Sequence, residues 1–419
     1  MMNTPTETTG NHDVRTALII GGGIAGPVTA MALRQAGIEA TVYEAYPRSS
    51  ESVGGGMSIA PNGLDALDVI GVGDLVRPAG ADMTGIVMQD WKGRRLGEFG
   101  NPPGVPPMRF FYRADLLRAI EQEAVRRGIR LEYGKRLVRA TESADGVTAH
   151  FADGTQASAD VLIGADGIRS TVRTLIDPNA PEPRYAGLIS FGARVAEPGL
   201  PSTDGKMPMS FGKRAFFGYQ VFDADAVWFV NLPHAEPMTV AEAKRTPAQQ
   251  WLPLLKERFE QDRTPAAQLI SRTDPADLLI VGPVENMPRV PVWSKGRMVL
   301  VGDSAHAPSS SSGQGASLSI ESAVQLARCL RDLPRDQAFA AYEAERRPRV
   351  ERIIRETTHK NSAKTAGPVG RVVNAWALRI FTRLAKPERM AWMFDYRIDW
   401  DARVDDAGSA PSPALNTAG

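Results

Sequence analysis

Cysteine is almost absent: Cys329 is the only one among 419 residues. One thiol cannot close an internal disulfide or build a cysteine metal cluster. Its place in the helical run Ala323 to Leu330 fits a buried structural thiol better than a nucleophile. The five histidines show no ligand spacing, so no metal site is expected. Net charge is nearly absent too, with 49 basic against 48 acidic residues. Bulk attraction to nucleic acid or to an anionic membrane is thereby excluded. No uninterrupted apolar run is long enough to span a bilayer, and residues 1–15 lack the apolar stretch of a signal peptide. These absences leave a small-molecule enzyme with an expected cytoplasmic location, without nucleic-acid partners or membrane insertion.

What is present begins at residue 17. The apolar run Ala17-Leu18-Ile19-Ile20 leads into Gly21-Gly22-Gly23-Ile24-Ala25-Gly26 and then a helical stretch. A strand ending in a glycine turn aims the free N–H groups and dipole of the next helix at a pyrophosphate. Gly21 allows the turn, Gly23 lets phosphate approach the backbone, and Gly26 lets helix lie on strand. Glu44 closes the next strand, at the position of the acid that accepts hydrogen bonds from ribose. The spacing predicts dinucleotide binding. No second glycine fingerprint follows.

Two further motifs stand downstream. Asp166-Gly167-Ile168-Arg169-Ser170-Thr171-Val172-Arg173 follows the apolar run Val161 to Ala165, and Gly302-Asp303 follows Met298 to Val301. Between them, residues 185–232 are rich in aromatic and β-branched residues and read as a separate antiparallel sheet. Residues 84–98 also alternate like strands, 114–127 read as an amphipathic helix, and Asp153-Gly154 signals a hairpin. The predicted organisation is an α/β chain. A disordered leader covers 1–15, and a Rossmann-like cofactor domain covers 16–180 and 291–360. The inserted antiparallel-sheet substrate domain covers 181–290, C-terminal helices 361–404, and a disordered tail 405–419. In that C-terminal part Val372, Trp376, Ile380 and Leu384 share a helical period, which predicts packing on the body or on another subunit.

The three motifs in this order resemble the class A flavoprotein monooxygenases, whose archetype is para-hydroxybenzoate hydroxylase. The resemblance spans about residues 16–360. It implies FAD as resident cofactor, held by Gly21, Gly23, Ile24, Ala25, Gly26 and Glu44, with Arg48 and Arg113 toward the phosphates. It places Leu137 at the adenine, Gly56 on the flavin-side wall, Asp166 and Arg173 in the second motif, and Gly302 and Asp303 at the ribityl chain. Gly313, Gly315 and Ala316 open a helix whose N-terminus faces the flavin ring. It further implies NADPH or NADH as a transient reductant, O2 as co-substrate and a flavin C4a-hydroperoxide that oxygenates an aromatic molecule. The catalytic chemistry is flavin-centred, and a monomer or homodimer is expected. Ser310 stands where relatives carry proline, and Ser322 where they often carry an acid.

The substrate is less legible. Phe191, Phe217, Tyr219 and Trp228 in the middle sheet, with Pro308 and Ser310 near the helix N-terminus, are the candidate substrate contacts. The aromatics read equally as core, because alternation alone does not say which face is which. His306 reads as a structural residue of its loop rather than as a base. With Met207 and Met209 nearby and no arginine committed to a carboxylate, a larger and mostly apolar aromatic is expected. A flavin oxidase, reductase or epoxidase, or a non-catalytic FAD-dependent sequestering protein, is compatible with the same motifs.

Overall fold

The computed structural model describes residues 13–48, 55–222, 224–309, 312–357 and 387–404. The start of the expected leader, Ser310, the helical-period run 372–384 and the expected tail from 405 lie outside the described residues.

Thr16–Ile20 is apolar along nearly its whole length because it is buried on both faces. It lies inside a six-stranded sheet ordered Ser294–Lys295, Met298–Leu300, Val161–Gly164, Thr16–Ile20, Glu39–Tyr43, Arg130–Glu132. All neighbours run parallel except the first pair. The helix Ala25–Gln35 is buried from Gly26 to Leu33, since it lies against the sheet on one side and the helix Gly315–Asp332 on the other. A second long helix, Arg335–Thr357, packs on the first. The expected hairpin forms between Val147–Phe151 and Gln156–Ala159, with Gly154 at φ +84° in its turn.

The second sheet has seven strands, ordered Leu279–Asn286, Arg184–Ala196, Asp225–Pro233, Phe216–Phe222, Lys206–Phe211, Gly85–Asp90, Arg95–Gly100. Its last two strands come from the first half of the chain, well outside the aromatic-rich block. They join through a parallel pairing of Gly85–Asp90 with Lys206–Phe211, the one parallel contact in this sheet among the described residues. A small sheet of Gly56–Ile59, Met108–Tyr112 and Gly80–Met83 stands between the two large ones.

Three apolar clusters follow from this layering. The largest fills the six-stranded sheet and its helices. The second lies between the seven-stranded sheet and the helices Ala248–Glu257 and Ala266–Ser271, and holds Phe191, Phe217, Trp228, Trp251, Leu255 and Phe259. The third joins the halves through Ala60, Met83, Met108, Phe110, Met207 and Val227.

Candidate cofactor and substrate site

The strand Thr16–Ile20 ends where the chain must turn sharply, and two glycines make the turn possible. Gly21 has φ +112°, and a Cβ there would stand 2.3 Å from the Ala165 carbonyl oxygen. At Gly26 a Cβ would stand 1.9 Å from the carbonyl oxygen of Gly21. Any side chain at either position would force the turn apart. The other two motifs meet here. Gly21 abuts Ala165 and Asp166, while Gly302 at φ +68° abuts Ala25 and Ser319. Arg173, buried, donates to the Ser304 carbonyl at 3.1 Å and the Ile168 carbonyl at 2.8 Å, tying the second motif to the third.

Within this frame the predicted residues take distinct parts. Glu44 accepts from the Gly22 N–H at 2.6 Å and the Tyr46 N–H at 2.8 Å. It braces the turn, and its carboxylate keeps acceptor capacity beyond those two bonds. Asp166 accepts from Ser170 Oγ at 2.5 Å and from the N–H groups of Thr171 and Val172. Its carboxylate therefore starts the helix Thr171–Ile176, acting on the site through the turn. Burial pushes it above the usual carboxylate range against the pull of those donors. Arg48 is exposed, and the Leu137 side chain is buried in the large core.

Several features fit FAD. A Cβ at Gly23 would have only an Arg113 guanidinium nitrogen within 4 Å, at 3.9 Å, which leaves space beside a cation for phosphate. Burial lowers the pKa of Arg113, partly offset by Glu121 and Glu44. Asp303 presents a buried Oδ1 without a protein partner. Burial raises its carboxyl while the Ser319 hydroxyl pulls it down. A buried acceptor of this kind is costly unless a ligand hydroxyl completes it. At Gly313, φ +66°, a Cβ would be 3.4 Å from the Met108 methyl and 3.6 Å from Ser58 Oγ. Gly315 and Ala316 open the 18-residue helix beside Pro308, so its free N–H groups face the same region. At Gly56 a Cβ would run into the Phe110 ring, which holds that strand close to its neighbour.

Behind this helix lies a buried charge cluster that the sequence did not announce. Glu321 pairs with Arg346 at 2.6 Å and Arg349 at 2.9 Å, and accepts from Asn62 Nδ2 at 2.5 Å. Asn62 also donates to Gln314 Oε1 at 3.1 Å, reaching the helix start. Burial works against the Glu321 carboxylate, but the two arginines outweigh it and hold its pKa below the usual value. Ser322, in the place of the family's acid, shares its hydroxyl with His306 Nε2 at 2.9 Å and Arg346 Nε at 3.2 Å. Burial and the nearby Arg346 push His306 down to about 3, so it is neutral at physiological pH. The signal for this cluster was the spacing of Glu321, Arg346 and Arg349 on two helices, legible only once the helices are known to touch.

The substrate residues require a correction. Phe191, Phe217 and Trp228 belong to the second cluster, under the outer helices, with half-buried Tyr219 packed against it. Phe191 packs at a tilt on Trp251 with ring centroids 4.8 Å apart, Phe217 likewise on Phe259 at 5.5 Å, and the Trp228 indole donates to Thr273 at 3.0 Å. Side chains alternate across a strand, so the opposite face carries Met207, Met209, Phe222, Val227 and Phe229. That face meets Met108 and Phe110, and through Met108 the Gly313 turn.

Residues 14–357 match the family of the FAD binding domain, and the chain belongs to that family. It is a class A flavin-dependent monooxygenase, with FAD as its cofactor. An FAD-dependent urate hydroxylase of Klebsiella pneumoniae is 32% identical over 383 residues, covering 86% of this chain and 93% of the relative. A 6-hydroxynicotinate 3-monooxygenase of Pseudomonas fluorescens is 30% identical over 363 residues, covering 82% and 90%. The solved structure of Klebsiella pneumoniae HpxO complexed with FAD and uric acid superimposes with a TM-score of 0.78 at 27% identity, covering 91% of this chain and 96% of that one. Among the described residues no helix is long and apolar enough to cross a membrane.

Proposed function

We propose that this monooxygenase hydroxylates an uncharged aromatic of more than one ring, with NADPH or NADH as reductant. The observation that carries the substrate class is the charge balance of the sheet face opposite the outer helices. On that face of strands 85–90, 188–196, 206–211, 216–222 and 225–233, the charged side chains among the described residues are Asp90, Arg194 and Asp225. Arg194 pairs with Asp225 at 2.9 Å, and Asp90 pairs with Arg94 at 2.7 Å. An anionic ring buried here would lack an uncommitted cation, at a cost of several kcal/mol. The apolar lining of Met207, Met209, Phe222 and Phe229 suits a neutral ring system, which it would also shield from water. The urate hydroxylase and hydroxynicotinate monooxygenase relatives are named for more polar, ionisable rings, so the proposal is a departure within the family in polarity and charge.

Once reduced, FAD supplies the activation of O2. The chain's own residues do the rest. The glycine turn and Arg113 would hold the phosphates, Asp303 would accept from a hydroxyl, and the Gly315–Asp332 helix N-terminus would stabilise negative charge on the ring. Neutral His306 does not take a proton at working pH. The test is anaerobic reduction of the holoenzyme by NADPH and NADH, with phenol, salicylate, uric acid and 2-naphthol, followed by product mass in air. Acceleration by 2-naphthol and a product heavier by one oxygen support the proposal. Acceleration by uric acid or salicylate alone overturns the substrate class. Oxidation without a mass gain overturns the hydroxylation.

A further inference from the structure

We infer that Phe394, delivered by the C-terminal segment, is a specificity-determining residue of the substrate wall. This rests on the apolar-substrate reading above and names a part of the wall that the sheet does not supply.

Residues 387–404 form a strap laid across the two long helices. Arg349 donates to the Trp392 and Met393 carbonyls at 3.0 and 2.9 Å, and its guanidinium lies 4.1 Å from the Tyr396 ring centroid. Arg352 lies 3.6 Å over Trp392. Farther along, Arg331 donates to the Trp400 carbonyl, and the Val404 N–H donates to Asp332 at 2.9 Å. The strap thus ends the short helix Ala391–Phe394 at a fixed place.

Phe394 is half-buried there, and among the described residues it is the one half-buried apolar side chain that packs against both the large core and the third cluster. The third cluster contains Ala60, Met108 and Met207. Met108 reaches the Gly313 turn, and the Ala60 N–H bonds Ser317 of the helix at 2.9 Å. Phe394 thus packs where the third cluster meets the large core, and the third cluster is the one that reaches the opening of that helix. The half-buried members of this cluster, Tyr112, Met209, Phe222, Phe229 and Phe394, leave apolar surface uncovered between the halves. A multi-ring substrate would cover it.

The placement is also rigid. Arg349 grips the strap with the same guanidinium that pairs with Glu321, and Glu321 holds Asn62 two residues beyond Ala60. Strap, helix and the Ala60 loop share one buried charge cluster, so Phe394 keeps its distance to the helix N-terminus. A large aromatic held this way is an ordering surface at low entropic cost.

The experiment titrates holoenzyme and its Phe394→Ala variant with phenol, salicylate, uric acid and 2-naphthol, following the flavin absorbance change. The expected result is a roughly tenfold weaker 2-naphthol complex with phenol changed less than about twofold, because only the second ring reaches Phe394. Phe394→Leu, which keeps apolar bulk, should restore most of the loss. FAD affinity and thermal midpoint, read separately, should stay near wild type for both variants. Equal weakening of every ligand, or none, overturns the inference. If wild type binds only salicylate or uric acid, the neutral-substrate reading fails. The Phe394 assignment then stands if Phe394→Ala weakens two-ring uric acid at unchanged FAD affinity, and falls if uric acid is unaffected or if salicylate is the sole ligand. A wild type that binds none of the four overturns both.

Discussion

In the half that holds FAD, single atoms decide the geometry. A Cβ at Gly26 would meet a carbonyl oxygen at 1.9 Å, one Asp303 oxygen is buried without a partner, and Arg346 is buried against Glu321. In the sheet half, by contrast, two faces of similar apolar composition differ only in what covers them. One is sealed by helices and fully packed; the other is partly open toward the cofactor half. The first half tolerates little because its groups are fixed by short, specific contacts. The second should tolerate substitution on its open face and pay in substrate selection instead.

The sharpest break of this comparison is at the glycine turn. Gly26→Val should yield protein without bound flavin, read directly from the absorbance of the purified sample; a yellow variant with normal flavin content would undo the argument. Glu321→Ala should come next, costing about 3–5 kcal/mol because Arg346 stays buried without its anion. Denaturant titration checks it. The two sheet faces should then separate. Phe217→Ala is expected to cost about 3–5 kcal/mol at unchanged KM, since its contacts are core contacts. Phe229→Ala should cost clearly less in stability and raise KM for the preferred aromatic. Equal KM effects from the two would erase the distinction.

The smallest effect concerns pH. His306 is held down to about 3 from an ordinary 6.5, so the unfolded chain binds its proton first as pH falls. Its share of stability is present above 6.5 and is lost progressively between 6.5 and about 3. Just below 6.5 the slope is at most about 1.4 kcal/mol per pH unit. Replacing it by glutamine should flatten that slope, measured as the difference in unfolding free energy between about pH 7.5 and 5.5.

The contrast also explains what could be read beforehand. Gly21, Gly23 and Gly26 were legible because a phosphate-receiving strand–turn–helix demands glycine at those points, whereas Asp303 was legible only through the family resemblance. Glu44 was legible as an acid, but its bracing of the turn through the Gly22 N–H was not, since that depends on a side-chain rotamer. Phe191, Phe217 and Trp228 stayed open between core and substrate contact because alternation gives two sets and no label. Trp251 and Leu255, on the helix Ala248–Glu257, and Phe259, in the turn after it, supply that label from outside the strands. The strands Gly85–Asp90 and Arg95–Gly100 read as strands, yet their partner lies more than a hundred residues ahead, and local pattern carries no such information.

That long-range pairing has a consequence for the birth of the protein. The hairpin of Gly85–Asp90 and Arg95–Gly100 leaves the ribosome well before Lys206–Phe211, the strand that completes it. At typical synthesis rates the interval is roughly 5–20 s. Throughout it, a strand edge with Ile86, Val87 and Met88 stands unpaired beside other nascent chains. Slower translation lengthens that exposure, so expression yield should respond to codon choice between residues 100 and 206 more than to codon choice in the cofactor motifs.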